Sequence, residues 1–523
     1  MGVITFAFVL TAIYFVWAHL NKPRRSLPLP PGPKPLPLVG NITNLTSREL
    51  WLRTKDWARQ YGDMTYLHVF GQGLLFLNNY EGAVELLEKR GAIYSDKPGL
   101  VMAGDLCGCE NMVAFTRYGD KSRRQRRLMN MALGVNSVKQ YSPLLESDAH
   151  DLLKRLLQNP ADYVDNLKRY AGGLTLSAIY GYQVRSNEDE MLRLADECVN
   201  ILSNDIASGG GIWPVDIFPA LQSLPDWAPG AGFKRKAAVW KSKMEEFVEK
   251  PYAYVKERMR DGTALPCFCT TLLEELQERS REEKKEAEQI DPQRDFDIRW
   301  TANSMYSASI DTTMTVVSHF ILAMILHPEV LARVQEEIDT VVGSGRLPTF
   351  SDRASLPYLE SVMSETLRWG VPVPLALPHR LMEDDTYNGY HIPKGTLVFG
   401  NVWNMVRNPE LYPDPEAFHP ERFLVPADEL TAKRRDPRNY VFGFGRRRCP
   451  GLHLIEQSLW IVMACMVATL DISKAIDDNG DVIEPKISFD NSVFRTPSPF
   501  KCDLRPRSEQ SLKIIRQVTE GSV

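Results

Sequence analysis

One cysteine sets the chemistry open to this chain. Cys449 stands in Phe442-Gly443-Phe444-Gly445-Arg446-Arg447-Arg448-Cys449-Pro450-Gly451, among glycines and just after three consecutive arginines. Gly443, Gly445 and Gly451 are expected to let the backbone turn tightly and approach a flat ligand. A helical pattern, Leu452-His453-Leu454-Ile455-Glu456-Gln457-Ser458-Leu459-Trp460, follows directly. Cys449 is therefore expected at or just before a helix N-terminus, where unpaired N–H groups and the helix dipole favour a thiolate. A thiolate in a tight loop beside positive charge suits axial ligation of an iron.

Two further constellations stand upstream. Phe296 to Leu326 has no proline and a long apolar pattern, bounded by Asp295 and by His327-Pro328. As a helix it would run about 45 Å and cross a whole domain. Inside it lies Ala308-Ser309-Ile310-Asp311-Thr312-Thr313. Ala308 and Thr312 are four apart and share a face, so a small side chain lies beside a hydroxyl. Ser364-Glu365-Thr366-Leu367-Arg368 puts opposite charges three apart on one helix face, and Phe418-His419-Pro420-Glu421-Arg422-Phe423 follows downstream.

The order Phe-x-x-Gly-x-Arg-x-Cys-x-Gly, met by Phe442, Gly445, Arg447, Cys449 and Gly451, resembles the haem-binding loop of the cytochrome P-450 superfamily. The resemblance runs from the N-terminus to Cys502 and implies that family's fold, mainly α with a smaller β-rich lobe. It implies heme b with Cys449 as the metal ligand, Phe442 packed against it and Arg447 on a propionate. The thiolate pushes electron density onto iron and favours O–O cleavage. Arg126 matches the arginine of the family's Trp-x-x-x-Arg and Arg380 the position that holds the second propionate. Ser122 replaces the tryptophan, a lost hydrogen bond of about 1 kcal/mol. By the same resemblance Ala308 leaves room for dioxygen, Thr312 hydrogen-bonds it and Asp311 relays protons. Ser309 departs from the usual glycine. Glu365, Arg368 and Arg422 form a buried structural network. Val101, Met102, Met112, Ser307, Val373, Leu375, Ala376 and Phe494 are candidate pocket residues.

The implied activity is a monooxygenase that takes electrons from an NADPH-dependent flavoprotein reductase and oxidises a small hydrophobic substrate. Residues 218–236, with Trp227, Pro229 and Lys234-Arg235-Lys236, resemble basidiomycete fungal members acting in secondary metabolism. A terpenoid-type substrate is expected; an indole or other aromatic amine is the alternative. A haem protein that binds or carries electrons without inserting oxygen is the alternative class, and the Asp311–Thr312 pair argues against it.

The remaining chain must position these groups. With 523 residues, 44% of them hydrophobic, it can bury a large core, and motifs so scattered must meet in one domain. A net charge of -4 gives no sign of a nucleic-acid partner. Eight sparse cysteines fit a reducing compartment; Cys107-x-Cys109 and Cys267-x-Cys269 read as incidental. Val3 to Leu20 is apolar and uncharged, long enough to span a bilayer, with Tyr14 and Trp17 near its end and Lys22, Arg24 and Arg25 after it. No basic region precedes it and no cleavage pattern follows, so a retained anchor is preferred to a signal peptide. Residues 1–21 are thus expected to be a transmembrane anchor in the endoplasmic reticulum, 22–40 a basic and proline-rich extended linker, and 41–523 a haem-binding catalytic domain facing the cytoplasm.

Finer expectations complete the reading. Asp63 to Leu77 should form a hairpin, Tyr94 to Met112 an irregular loop, and 151–250 helices broken at Gly209-Gly210-Gly211. Arg281 to Gln289 should be a solvated linker or helix end. Val371 to Arg380 should be extended by its prolines, 388–395 a hairpin and turn, and 494–500 a last turn reaching the pocket. Residues 218–236 suit a mobile lid touching the membrane. The basic run Arg123, Arg124 and Arg127 should face outward. Lys433, Arg434, Arg435, Arg438, Arg446 and Arg448 suggest a docking face for an acidic electron donor.

Overall fold

In the computed structural model, residues 27–46, 48–206, 213–282, 291–490 and 493–520 are described. The expected anchor at 1–21, the glycines at 209–211 and most of the charged run at 281–289 lie outside the described residues.

The helical part is built from α1 (Leu50–Tyr61), α2 (Asp120–Leu133), α3 (Ser142–Gln158), α4 (Tyr163–Tyr180), α5 (Glu190–Asn200), α6 (Gly232–Arg260), α7 (Pro292–Leu326), α8 (Pro357–Gly370) and α9 (Leu452–Thr469). The long helix α7 begins four residues earlier than its apolar pattern suggests. Asp291 caps it, accepting from the Gln293 N–H at 3.0 Å, and Pro292 occupies the first turn, where a missing N–H costs nothing. Helices α7 and α9 are long and apolar enough to cross a membrane, yet most of each is buried inside the fold. They are core helices, apolar all round because other helices cover them.

The smaller lobe is a four-stranded sheet. Strands β1 (Met64–Val69) and β2 (Gln72–Leu77) form the expected hairpin, with Met64 opposite Leu77, and Gly71 takes a positive φ of 91° in its turn. Strand β3 (His379–Arg380) and β4 (Leu397–Gly400) come from 300 residues later; the order is β1-β2-β4-β3 with β2 parallel to β4. A second hairpin, 385–392, turns through Asn388 and Gly389. Near the C-terminus, β5 (Leu470–Lys474) pairs with a later strand, Cys502–Pro506, while β6 (Phe489–Asp490) pairs with β7 (Thr496–Pro497). The expected last turn at 494–500 is thus a hairpin end.

Three local expectations change. From Pro28 onward the proline-rich stretch is docked on the sheet rather than free. The Tyr66 N–H donates to Pro31 O, the Asn41 N–H to His68 O, and a Cβ on Gly32 would meet Tyr66 O at 1.9 Å. The stretch 94–112 contains helical turns at Val101–Leu106 and Cys109–Asn111. The stretch 371–380 is bent rather than extended: Val371 and Ala376 have φ of 35° and 52°, and the Ala376 N–H donates to Val373 O. Proline limits its predecessor but does not prevent a turn two residues on.

Candidate active site

The Cys449 loop is held by its own backbone. The Cys449 N–H donates to Phe442 O at 2.8 Å, closing the loop at the start of α9. Gly443 and Gly445 have φ of 73° and 52°, and a Cβ at 445 would meet Leu87 O at 2.4 Å. Gly451, by contrast, has an ordinary φ of -81°, so the turn does not require glycine there; its Cβ would lie 3.7 Å from Cys449 Sγ. Phe442 is half-buried against the helical core.

Cys449 combines two properties. Its side chain has substantial accessible surface, yet burial by the surrounding protein pushes its thiol up, against the opposing pull of the Gly451 N–H, Arg126, the Leu452 N–H and Arg448. Such a sulfur lines an interior cleft. The helix terminus alone does not yield the thiolate expected from sequence, because desolvation outweighs it.

The cations beside it show the same strain. Burial lowers the Arg126 guanidinium, whose Nη2 donates to Arg448 O at 2.6 Å. Arg447 is pushed down to about 10 by burial and by Arg126; its nitrogens donate to Ser95 O, Val113 O and Thr116 O at 2.8, 3.2 and 2.8 Å. Lys97, 4% exposed, lies well below its usual range through burial and repulsion by Arg447 and Arg126. Its Nζ donates to Leu377 O and Pro378 O. One carboxylate, Asp96, faces Lys97 and Arg447, and it already accepts from Arg117 at 3.0 Å and Arg380 at 3.2 Å. Neutral His379, with Nδ1 on Tyr94 O, completes the cluster. A buried site with more cations than anions fits a ligand carrying carboxylates beside a metal that takes sulfur.

Along α7, Ala308 is exposed and Ser307, Ser309, Asp311 and Thr312 are half-buried, in a helix whose other central residues are mostly covered. Thr312 Oγ1 donates back to Ala308 O at 2.8 Å. Burial, reinforced by Asp196 and opposed by Lys168, pushes the Asp311 carboxyl up to about 6. The Ser309 hydroxyl is turned to α4: it accepts from Thr175 Oγ1 at 2.8 Å and donates to Tyr306 O. The Ser307 hydroxyl donates to Ser304 O. Ser122 is buried, and its hydroxyl has no hydrogen-bond partner among the described residues.

Glu365, fully buried, binds Arg368 through Nε and Nη2 at 2.7 Å each and Arg422 Nε at 3.3 Å. The arginines' remaining nitrogens donate to the carbonyls of Val406, Pro413, Pro415 and Ala417.

The family model described as Cytochrome P450 matches residues 30–503. Cytochrome P450 monooxygenase claT of Ampulloclitocybe clavipes is 40% identical over 99% of this chain and 99% of its own. Cytochrome P450 monooxygenase 208 of Postia placenta is 39% identical over 98% and 97%. The chain belongs to the cytochrome P450 family. It is a cytochrome P450 monooxygenase, and the family implies a haem held by a thiolate, which the Cys449 cleft and its surplus of buried cations fit.

Against that P450 frame some site expectations shift. Met102 has no accessible surface and Met112 is 3% exposed, so both belong to the core and not to a cleft wall. Val101 borders an outer cleft of about 490 Å³, with Leu100, Phe115 and Lys121. Val373, Leu375, Ala376 and Phe494 are half-buried. On the Cys449 side, Arg438 is not part of a free basic face: it is tied to Glu360, Asp436 and Glu456. Arg434 pairs with Glu81, and half-buried Arg448 donates to Arg438 O. Arg124 pairs with Asp297 of α7, while Arg123, Arg127, Lys433 and Arg446 are exposed. Sequence reading missed Lys97 and His379. Lys97 stands in Ser95-Asp96-Lys97-Pro98, which reads as a surface loop; its ammonium is covered where the segment leading into β3 arrives with the carbonyls of Leu377 and Pro378.

Proposed function

We propose that this P450 oxidises a small apolar, terpenoid-type molecule, with electrons from an NADPH-dependent flavoprotein reductase at the endoplasmic reticulum membrane. The observation that carries the reading is Cys449, desolvated yet open to a cleft, beside Arg126 and beside Lys97 and Arg447, which share the Asp96 carboxylate. A haem bound there supplies oxygen activation and one-electron chemistry. Cys449 would be its axial ligand, and Arg126, Arg447, Lys97 and Arg380 would neutralise its propionates. Ala308 leaves a gap in the face of α7, and the Thr312 hydroxyl, which donates to Ala308 O at 2.8 Å, stands one turn along the same face. Asp311 takes protons from the solvent side, where Lys168 and Asp196 pair at 2.7 Å.

Replacing Thr312 by alanine is expected to leave haem content unchanged and to cut substrate oxidation about 10-fold or more. NADPH consumption would continue, with the electrons recovered as hydrogen peroxide. A product-to-NADPH ratio equal to wild type would remove Thr312 from proton delivery.

Asp311 gives a pH test. Its folded-state carboxyl lies at about 6, above the ordinary 3.8. A raised acid stabilises the fold fully below 3.8 and loses that contribution as pH climbs to about 6. Asp311→Asn should therefore gain melting temperature over wild type between pH 4.5 and 6, with no further change above. A difference independent of pH would contradict the raised carboxyl.

Apolar surface supports the membrane assignment. Phe218 lies edge-on to Phe70 at 5.7 Å, at the turn of the β1–β2 hairpin. Leu36 and Leu38 are exposed beside it, since Gly40 bridges Val69. Trp227 is 83% exposed. Phe70, Phe218, Leu36 and Leu38 make an apolar patch suited to an interfacial layer, and Trp227 adds exposed apolar surface nine residues along the chain from Phe218. On the Cys449 side, Arg446 donates to the Tyr118 hydroxyl and Arg123 lies over the Tyr118 ring. This ring gathers exposed cations for an acidic donor protein.

The deciding experiment is co-expression with such a reductase, feeding of a terpene panel and mass analysis. Products one oxygen heavier are expected. Oxidation of indoles or aromatic amines alone would overturn the terpenoid assignment.

A further inference from the structure

Arg495 is 6% exposed, and no carboxylate lies within ion-pair distance of it among the described residues. Instead its Nη1 donates to His319 Nε2 and to Gly370 O, at 2.9 Å each. Phe489 lies 3.6 Å from the guanidinium carbon and Trp403 5.0 Å, measured to ring centroids. His319 Nδ1 sits 2.8 Å from Thr315 O, a group that only accepts, so the ring proton is on Nδ1. Nε2 is then a bare acceptor, ready for the arginine N–H. One residue on, Thr496 Oγ1 bonds Thr315 Oγ1 at 2.7 Å, and the Arg495 N–H donates to Pro372 O at 3.0 Å.

Thr315 and His319 are three and seven residues after Thr312, on the same face of α7. Thr315 is about 4.5 Å further along the axis. The hairpin β6–β7 is therefore fastened to the Thr312 face, just past the residue assigned to proton delivery. We propose that Arg495 and Thr496 are positioning residues that latch this hairpin to α7 and so set how far an apolar ligand extends beside Thr312. The proposal rests on the active-site reading above. Burying a guanidinium without a carboxylate is costly. An aliphatic side chain in the same aromatic box would serve packing alone. Directional bonds fix the hairpin's register on the helix, where apolar contact would let it slide, and Phe494 stands immediately before the latch.

The test uses haem-loaded wild type, Arg495→Met and Thr496→Val. Imidazole, 1-butylimidazole, 1-octylimidazole and 1-dodecylimidazole are titrated against each, following the optical change on nitrogen ligation. Imidazole itself should bind all three within about twofold, because it reaches no further than the metal. The chain-length profile should change, with at least one alkyl member moved by about tenfold in Arg495→Met and in the same direction, less far, in Thr496→Val. Profiles that superimpose on wild type, even with lowered melting temperatures, would reduce the latch to a structural tie and overturn the proposal. If Arg495→Met yields no folded holoprotein, the near-isosteric Thr496→Val decides by the same criterion. Failure of imidazole to ligate the wild type would instead overturn the haem-site reading.

Discussion

Glu365→Ala is expected to abolish the recoverable holoprotein. The carboxylate is fully buried and is the anion shared by Arg368, with no exposed surface, and Arg422. Its loss leaves two desolvated guanidinium groups without the carboxylate that, among the described residues, binds them both. Breaking a buried pair costs about 3–5 kcal/mol, against a typical domain stability of about 5–15 kcal/mol. Glu365 also accepts the His419 N–H at 2.7 Å, so the segment leading to Arg422 loses an anchor as well. Large cofactor proteins rarely unfold reversibly; the measurements are soluble holoprotein yield and the rate of thermal inactivation. The double variant Glu365→Leu with Arg368→Leu discriminates two accounts. Were the pair an isolated ion pair, two apolar residues would restore stability. Here the carbonyls of Val406 and Pro415 would lose their Arg368 donor and Arg422 would stay stranded. The double variant should therefore be no better than the single one, and a recovered yield would refute the network account.

That network shows what a sequence carries well. Glu365 and Arg368 are three apart on one helix, and helix geometry alone places them together. The same holds for Ala308 and Thr312, and for the Cys449 loop, whose closing bond spans only from 442 to 449. Local spacing is enough where the contact is local. Lys97 was not legible, because its ammonium is covered by the carbonyls of Leu377 and Pro378, which arrive with the segment leading into β3, and nothing near Lys97 marks it. Arg495 was missed likewise: its acceptor, His319, sits 176 residues earlier. Among the pocket candidates Met102 and Met112 went astray for a different reason. Val101, Met102 and Met112 are apolar residues in a glycine-punctuated stretch, and apolar residues serve a cleft or a core equally. Two short helical turns at 101–106 and 109–111 rotate Met102 and Met112 into the core. Arg438 repeats the lesson for charge. A run of arginines reads as a solvated face until Glu360 and Glu456, from two other helices, are seen to bind it. Ser309 shows the limit of a departure noted in sequence: its hydroxyl is absorbed by Thr175 of a neighbouring helix.

Cys449→Ala should remove oxidation altogether while leaving a folded chain. Alanine fits the loop, whose closing bond uses the residue's backbone N–H and not its sulfur, so circular dichroism should change little. The buried cations Lys97, Arg126 and Arg447 would still draw carboxylates into the cleft, and some porphyrin should remain, held by charge and apolar contact. What disappears is the sulfur donor. The site already desolvates that thiol and raises it above its usual value, so in the free chain the sulfur stays protonated near neutral pH. A bound cationic metal reverses this, since a coordinating thiol is deprotonated outright. Thiolate ligation gives the reduced carbon monoxide complex its characteristic long-wavelength band, and loss of that band is the measurement. Cys449→Ser separates charge from sulfur: its hydroxyl stays protonated near neutral pH and is a harder donor, so it too should lose the band and the turnover. Retention of both in either variant would mean that another group holds the metal, and the assignment of Cys449 would fall.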